Sequence, residues 1–282
     1  MTEVMKNAKV FTDKYDMDPR VASLTGINLE GPFLSPKKPG AQNPDNIVKT
    51  DVEMVYRLNE ASGNKIKLID IAPETEGALE FIKSCKDKFV ISIAHTDATY
   101  EDSCAAIEAG ARHITHLYNA MNPIHHRNPG PVIAAFESGA EVELIADGVH
   151  IHPAMVRFTF QIFDRDRVIL ISDSMEACGL ADGEYQLGGQ PVMKNGNLAT
   201  LKKDGATVAG SVTNLFDCMK TAVQKIGIPL EDAICAATMN PARSIGISND
   251  HGSIAVGKYA DIVIIDNELN IVHVINKGEI IR

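Results

Sequence analysis

The stretch THLYNAM, residues 115–121, places His116 at the end of a short apolar run and follows it at once with Tyr118 and Asn119. A single histidine at the end of a strand is usually structural. His116 therefore indicates a functional site only if other strands of the same chain also end in polar side chains.

Short β-rich runs alternate with helix-like segments along most of the chain. Seven runs are predicted as strands: residues 22–29, 66–71, 89–94, 113–117, 142–146, 168–171 and 207–209. Between two of them, TDATYEDSCAAIEAGARH predicts a helix that begins near Thr99, with Asp102 as partner in a capping box, and ends at Gly110. This alternation favours parallel strands joined by crossover helices.

The number of predicted strands leaves the fold one strand short. A closed TIM barrel of the (β/α)8 type needs eight strands, and seven are found. After Ile254 the pattern changes to closely spaced strand-like runs with no long helix between them. We expect an α/β fold in which residues 1–254 form a TIM-like barrel without its first strand, and residues 255–282 form part of a small β-sandwich domain.

The bulk composition argues against several kinds of partner. The 282 residues carry a net charge of -10 and no dense Lys/Arg cluster, so no nucleic acid partner is expected. Five scattered cysteines without a CxxC pair, and a start without an apolar signal core, predict a reduced, cytoplasmic protein. The apolar runs are too short to span a bilayer, so no membrane partner is expected either.

Polar side chains recur where the predicted strands end. The carboxyl ends of the strands form the active face of a TIM barrel, so these side chains are expected to converge. Each has an ordinary explanation by itself, such as a helix cap for Asp173 or a surface loop for His150. It is improbable that all of these ordinary explanations hold at once for residues at matching strand ends. The set comprises three carboxylates and three imidazoles: Glu30, Asp147, Asp173, His95, His116 and His150.

Three of these residues, Glu30, His95 and His116, lie nearest the strand ends and indicate the chemistry. Two neutral imidazoles and one carboxylate suit zinc or a similar divalent ion and leave an open position for water. Such an ion lowers the pKa of the water that it binds, which makes a nucleophile near neutral pH. Asp173 is the best-placed remaining carboxylate to carry the proton. The set predicts hydrolysis of an amide or an ester.

Seven segments of the chain match the signatures of a known family. They are GINLEGPFLSPKKPGAQNP, IAHTDAT, THLYNAMNPIHHRNPG, IADGVHIHP, ISDSMEACGLADGEYQLGG, VAGS and TMNPARSIG, in this order. Together they resemble the N-acetylglucosamine-6-phosphate deacetylases, a family of the amidohydrolase superfamily. The similarity covers essentially the whole chain, and HLYNAM and LEGPF are its most specific parts.

The resemblance implies removal of the acetyl group from N-acetylglucosamine 6-phosphate, which gives glucosamine 6-phosphate and acetate. It implies Glu30, His95 and His116 as ligands of one divalent ion per subunit, with zinc first and iron, cobalt or manganese as alternatives. It implies Asp173 as the catalytic acid and base. The positions that match substrate-contacting residues of the family are Ala41, Gln42, Asn119, Ala120, Arg127, His150, Val208, Ala209 and Gly210.

Arg127 carries a further implication of the resemblance. Its planar, always charged guanidinium suits a phosphate group. In the family the matching arginine reaches across a dimer interface, so a homodimer with a phosphorylated amino sugar as its substrate is implied.

Two departures from the family pattern bear on activity. Some members have, at the position of Gln42, a histidine that polarises the substrate carbonyl, and a glutamine amide can donate a hydrogen bond to the same oxygen. The family also has a further segment ahead of the present start, with the first barrel strand and, in many members, a His-x-His pair for a second metal. We therefore expect a one-metal enzyme whose barrel lacks that strand.

Two other functions stay open. Another amidohydrolase activity, on a related amide or a different amino sugar phosphate, would use the same ligands, although Arg127 argues against a substrate without phosphate. An inactive, truncated remnant would explain the missing strand, whereas the complete ligand set argues against long decay.

Overall fold

Six parallel strands form the central sheet of this structure, a computed structural model that describes residues 22–282. The strands are β1 (Ile27–Leu29), β2 (Ile66–Ile71), β3 (Val90–Ile93), β4 (His113–Ile114), β5 (Glu141–Ile145) and β6 (Val168–Ile171). They lie side by side in sequence order, each paired in parallel with the next. The expected α/β class is thereby confirmed. The expectation about the first twenty residues lies outside the described part.

Helices connect these strands. The first five strands are each followed by one α-helix, and a 3-10 turn, Pro44–Asn46, precedes the first of these; the helices are α1 (Val52–Ala61), α2 (Ala78–Cys85), α3 (Tyr100–Ala109), α4 (Gly130–Ser138) and α5 (Pro153–Ile162). Three more follow later in the chain: α6 (Leu215–Thr221), extended by the π-helical turn Ala222–Ile226, α7 (Leu230–Ala237) and α8 (Met239–Ser244). The start predicted for α3 is confirmed, because Thr99 and Asp102 each accept a hydrogen bond from the backbone N–H of the other. No described helix is long and apolar enough to cross a membrane.

The sheet and its crossover helices bury one continuous apolar core. All four residues of β3 are buried, which fits a strand covered on both faces and explains why its sequence, VISI, does not alternate. Ile91 and Ile114 of the sheet belong to the same cluster as Phe81 of α2 and Val132 of α4. This core fixes where the strands end, and so where the polar residues that follow them lie.

The central sheet is strongly curved. Glu30 follows β1 and His116 follows β4, and three strand spacings of a flat sheet would separate their backbones by about 14 Å. The side chains of Glu30 and His116 bridge what is left of this separation, with Glu30 Oε1 3.2 Å from His116 Nε2, and the sheet is curled into half a barrel. Such curvature is that of a barrel wall, and it brings the carboxyl ends of β1 to β6 towards one another.

The prediction of a seventh strand at residues 207–209 is wrong. Val208 forms an isolated antiparallel bridge with Thr200, and Ser211 forms an isolated parallel bridge with Ser174. Ser174 lies three residues beyond the end of β6, so the segment pairs with the continuation of β6 and not with the strand itself. The segment passes beside the sheet without extending it as a regular strand.

An antiparallel sheet that the sequence pattern did not predict precedes that segment. Its strands are β7 (Gly183–Leu187), β8 (Gln190–Asn195) and β9 (Leu198–Leu201), and it has a small apolar core of its own around Val192 and Leu201. Two-residue connections, Gly-Gly and Gly-Asn, join the strands, and short loops of such residues favour tight hairpins.

A second antiparallel sheet ends the chain. It contains β10 (Ile262–Ile265), β11 (Ile271–Asn276) and β12 (Glu279–Ile280). These strands agree with the strand-like pattern after Ile254, while the division into domains at that residue stays a prediction.

Candidate functional site

Glu30, His95 and His116 meet at the carboxyl ends of β1, β3 and β4. Glu30 Oε1 lies 2.9 Å from His95 Nε2 and 3.2 Å from His116 Nε2, and the two Nε2 atoms are 3.1 Å apart. Within residues 22–282, this is the one group of three or more His, Cys, Asp or Glu side chains that could hold a metal ion. The three ligands predicted from the sequence therefore lie together in space.

The environment of His95 fits a cation at this point. Its Nδ1 lies 3.0 Å from the backbone oxygen of Lys38, which can only accept a hydrogen bond, so Nδ1 carries a proton, and a cation that displaced the proton on Nε2 would meet the Nε2 lone pair in the triad. His116 Nδ1 is buried and has no hydrogen-bond partner among the described residues, so its tautomer is not fixed in the same way. Two imidazole nitrogens and one carboxylate oxygen directed at one point suit a divalent ion.

The charges of the triad favour a cation as well. Burial raises the pKa of Glu30, but hydrogen bonds from His116 and His95 outweigh it and hold that pKa well below its usual range. Burial lowers the pKa of His116, and the hydrogen bond and charge of Glu30 outweigh this and raise it to about 9. The carboxylate thus attracts positive charge, and a divalent ion would compete for this place with the proton on His116.

Asp173 faces the same cavity from the segment after β6. Burial raises its pKa to about 6, and the nearby charge of Glu30 adds to the rise. A carboxyl group that titrates near the working pH is suited to take up a proton and give it back. Its position is fixed by its own backbone, since its carbonyl oxygen accepts a hydrogen bond of 2.7 Å from the Ser211 N–H.

The backbone makes the same unusual turn at three of these residues. His95, His116 and Asp173 have φ angles of +44°, +33° and +49°, values that residues other than glycine rarely adopt. Each lies two residues past the end of its strand, β3, β4 or β6. Strain of this kind persists only where the surroundings hold it, and it is concentrated at functional sites. This turn brings each side chain into the cavity.

A cavity of about 410 Å³ adjoins the triad, a size that suits a small molecule. Leu187 and Met175 line it although the sequence did not single them out, and Leu187 belongs to the unpredicted sheet β7–β9. All but one of the predicted substrate contacts line it too, namely Ala41, Gln42, Asn119, Ala120, His150, Val208, Ala209 and Gly210.

Two acceptors fix His150. Its Nδ1 lies 2.7 Å from Asp147 Oδ2 and its Nε2 lies 3.1 Å from the backbone oxygen of Ala209. Burial lowers the pKa of His150, but the hydrogen bond and charge of Asp147 outweigh it, so that pKa is raised. Because both ring nitrogens face acceptors, the geometry favours the doubly protonated ring, which places positive charge at the wall of the cavity.

Arg127 is the one predicted contact that does not line the cavity. It is exposed in the loop before α4. Within one subunit the structure does not bring it to the other predicted site residues, and its role as a phosphate contact stays a prediction that requires a second subunit.

Comparisons with known proteins show the family to which the chain belongs. The model of the amidohydrolase family matches residues 19–281. The chain is 39% identical to an N-acetylglucosamine-6-phosphate deacetylase of Bacillus subtilis, over 99% of this chain and 71% of that protein. It is 34% identical to an N-acetylgalactosamine-6-phosphate deacetylase of Escherichia coli O157:H7, over 92% of this chain and 68% of that protein.

Solved structures give the same result. A mutant N-acetyl-D-glucosamine-6-phosphate deacetylase of Mycobacterium smegmatis, in complex with N-acetyl-D-glucosamine-6-phosphate, matches with a TM-score of 0.89 at 35% identity. The match covers 98% of this chain and 72% of that one.

Proposed function

The chain belongs to the amidohydrolase family, in its N-acetylglucosamine-6-phosphate deacetylase branch, and we propose that it hydrolyses the acetamide of N-acetylglucosamine 6-phosphate to give glucosamine 6-phosphate and acetate. The observation that carries this proposal is the meeting of Glu30, His95 and His116 at one cavity with Asp173. A small-molecule cavity with a ligand set for one divalent ion and one separate proton carrier is what amide hydrolysis requires.

We propose zinc as the resident ion, one per subunit, held by Glu30, His95 and His116. Two imidazoles and one carboxylate are a ligand set that catalytic zinc prefers, although iron, cobalt or manganese would also fit. When bound, the ion would supply Lewis-acid polarisation of the acetamide carbonyl and a lower pKa for water.

The chain's own residues would move the protons and hold the substrate. Asp173 takes the proton of the attacking water and later delivers a proton to the departing amine nitrogen, for which its pKa of about 6 is suitable. The Gln42 amide donates a hydrogen bond to the acetamide oxygen, and His150 adds positive charge where negative charge develops. Asn119, Ala120 and residues 208–210 contact the rest of the substrate.

Arg127 supports a homodimer as the active form. Its guanidinium suits the 6-phosphate, but it lies away from the cavity of its own subunit. We propose that it serves the neighbouring subunit's substrate, in a cytoplasmic enzyme of amino-sugar catabolism.

The decisive experiment measures metal content per subunit and acetate release from N-acetylglucosamine 6-phosphate on the 282-residue chain. We expect about one ion, and loss of turnover in Asp173→Asn with the ion retained. Asp87→Asn, which changes an exposed carboxylate after α2, is the matched control and should behave like the parent. A chain that holds the ion without releasing acetate would refute the proposed reaction, and one with neither property would favour an inactive remnant.

A second substrate is favoured by one observation, the 34% identity to the N-acetylgalactosamine-6-phosphate deacetylase. The two sugar phosphates differ only in the configuration at C4, so the same acetamide chemistry serves both. Comparing kcat/KM for the two sugars decides between them, and we expect the higher value for the glucosamine derivative.

A further inference from the structure

Glu74, in the turn that follows β2, holds the segment that carries His95. Its Oε2 accepts a hydrogen bond of 2.6 Å from the Thr96 hydroxyl, and its Oε1 accepts one of 2.7 Å from the Asp97 N–H. The two donors belong to the two residues that directly follow His95. We propose that Glu74 is a positioning residue that holds His95 Nε2 in place for the cation, an inference that rests on the metal role proposed for His95.

His95 needs such support because its backbone conformation is unfavourable. With φ at +44°, the chain turns sharply here, and a turn of this kind persists only if neighbouring groups hold it. Thr96 is fully buried, its hydroxyl also accepts a hydrogen bond from the Ala98 N–H, and its own N–H donates to Ala120. Without Glu74, the Thr96 hydroxyl and the Asp97 N–H would lose their acceptor, a loss that favours rearrangement of the turn.

The support comes to His95 from two directions. From the loop after β1, Lys38 accepts from Nδ1, and the Ser35 N–H donates to the His95 carbonyl oxygen. From the turn after β2, Glu74 holds the next two residues. Glu74 does not line the cavity and is not among the residues that bring ligand atoms to the triad, so it acts only through the segment that it holds.

Three variants separate positioning from simple stability. Glu74→Ala removes both acceptors. Glu74→Gln keeps one oxygen for the Asp97 N–H and can turn its NH2 towards the Thr96 hydroxyl, which can still accept, so it should restore most of the function. Glu76→Ala is the matched control, because Glu76 lies in the same turn but, among the described residues, its side chain pairs only with exposed Lys49 at the surface.

The measurements are Co²⁺ affinity with the visible spectrum of the bound ion, kcat and KM for N-acetylglucosamine 6-phosphate, and Tm. We expect Glu74→Ala to weaken Co²⁺ binding about ten- to a hundredfold, to change the spectrum and to lower kcat more than it raises KM. Glu74→Gln should recover most of the affinity, and Glu76→Ala should match the parent in all three.

Two results would overturn the inference. Parental Co²⁺ affinity and spectrum in Glu74→Ala, with only Tm lowered, would reduce Glu74 to a structural residue. A parent chain that binds no Co²⁺ would overturn the proposed metal site itself before any variant is compared. If Glu74→Ala proves too unstable to purify, Thr96→Val removes one of the two hydrogen bonds to Glu74, together with the acceptor of the Ala98 N–H, at nearly constant volume, and a loss of Co²⁺ affinity is again expected.

Discussion

The two sides of the cavity are built in different ways. One side, the triad wall, consists of Glu30, His95 and His116 at strand ends of the central sheet, whose apolar core is continuous. The other side, the substrate wall, consists of Ala41, Gln42 and residues 208–210. Ala41 and Ala209 pack with the small separate core of the sheet β7–β9. The proposed metal ligands therefore lie on the larger core, and Ala41 and Ala209, two of the predicted substrate contacts, lie on the smaller one.

This difference assigns a separate task to each wall. Metal ligands must be held closely in place, which a large packed core and a network of hydrogen bonds achieve. A wall with a small core opens locally at a lower free energy and can adjust to a ligand. Changes in the triad wall should therefore alter metal binding and kcat, whereas changes in the substrate wall should mainly alter KM.

The largest effect is expected for His116→Ala in the triad wall. Loss of one of three ligands should remove the ion, and kcat should fall by about a thousandfold or more because the ion activates both water and carbonyl. Metal content and acetate release measure this. His273→Ala, which changes an exposed histidine of β11, should keep the ion and the rate. Full metal content and activity in His116→Ala would contradict the assignment of the triad wall.

Gly40→Ala should show how closely the triad wall is packed. A Cβ atom at Gly40 would lie 3.1 Å from Cε1 of His95, so the ring must move. A displaced ligand should lower kcat about ten- to a hundredfold. Gly139→Ala is the control, since Gly139 also has a positive φ, +82°, but its added Cβ meets nothing within 4 Å. Equal losses of activity in both variants would mean that backbone strain, and not displacement of the His95 ring, lowers kcat in Gly40→Ala.

Gln42→Ala tests an expected exception, because Gln42 lies in the substrate wall but is proposed to act on the reacting carbonyl. Losing one hydrogen bond to the developing oxyanion should lower kcat by about tenfold or more, with little change in KM. Steady-state kinetics with N-acetylglucosamine 6-phosphate measure both constants. A rise in KM at constant kcat would mean that Gln42 only binds substrate, like the rest of the substrate wall. Unchanged kcat and KM would mean that Gln42 has no part in the reaction.

The triad wall was largely predictable from the pattern of strands, whereas the residues of the substrate wall were predicted only through the family resemblance and the sheet β7–β9 beside them was not predicted. Glu30, His95 and His116 follow apolar runs that mark their strands clearly, so their convergence followed from the rule that strand ends of a parallel sheet share one edge. The sheet β7–β9 was missed although its sequence contains Gly188-Gly189 and an Asn-Gly pair, since the alternation of strand and helix dominated the pattern. The same alternation explains why the pattern predicts a barrel strand at residues 207–209.

Glu74 shows a limit of another kind. Glu74 and Glu76 stand two residues apart in one turn and have the same side chain, so no local pattern separates them. Only the folded chain brings the carboxylate of Glu74 to Thr96 and Asp97, whereas Glu76 faces solvent beside Lys49. Roles that depend on contacts between distant turns are not encoded in the spacing of apolar residues.

The smallest expected effect concerns the contact that joins the two walls. His150, which follows β5, donates to Asp147 and to Ala209 of the substrate wall, and its pKa is raised above 6.5. The charged His150 ring therefore stabilises the fold fully at pH values below the pKa of this histidine in the unfolded chain. The stabilisation is lost as the pH rises through the pKa of His150 in the folded chain. Asp147, whose pKa is lowered from 3.8, loses its contribution only as the pH falls through its own lowered value.

His150→Gln should therefore cost more stability at pH 6 than at pH 9. A glutamine side chain carries no charge, so about 1.5 to 3 kcal/mol, the range for a hydrogen bond to a charged group, should separate parent and variant at pH 6 and shrink as the pH rises. Urea unfolding of both proteins at each pH measures the difference. His116 titrates in both proteins, so its contribution cancels to a first approximation. A difference independent of pH would mean that His150 is neutral in the folded chain and joins the walls by packing alone.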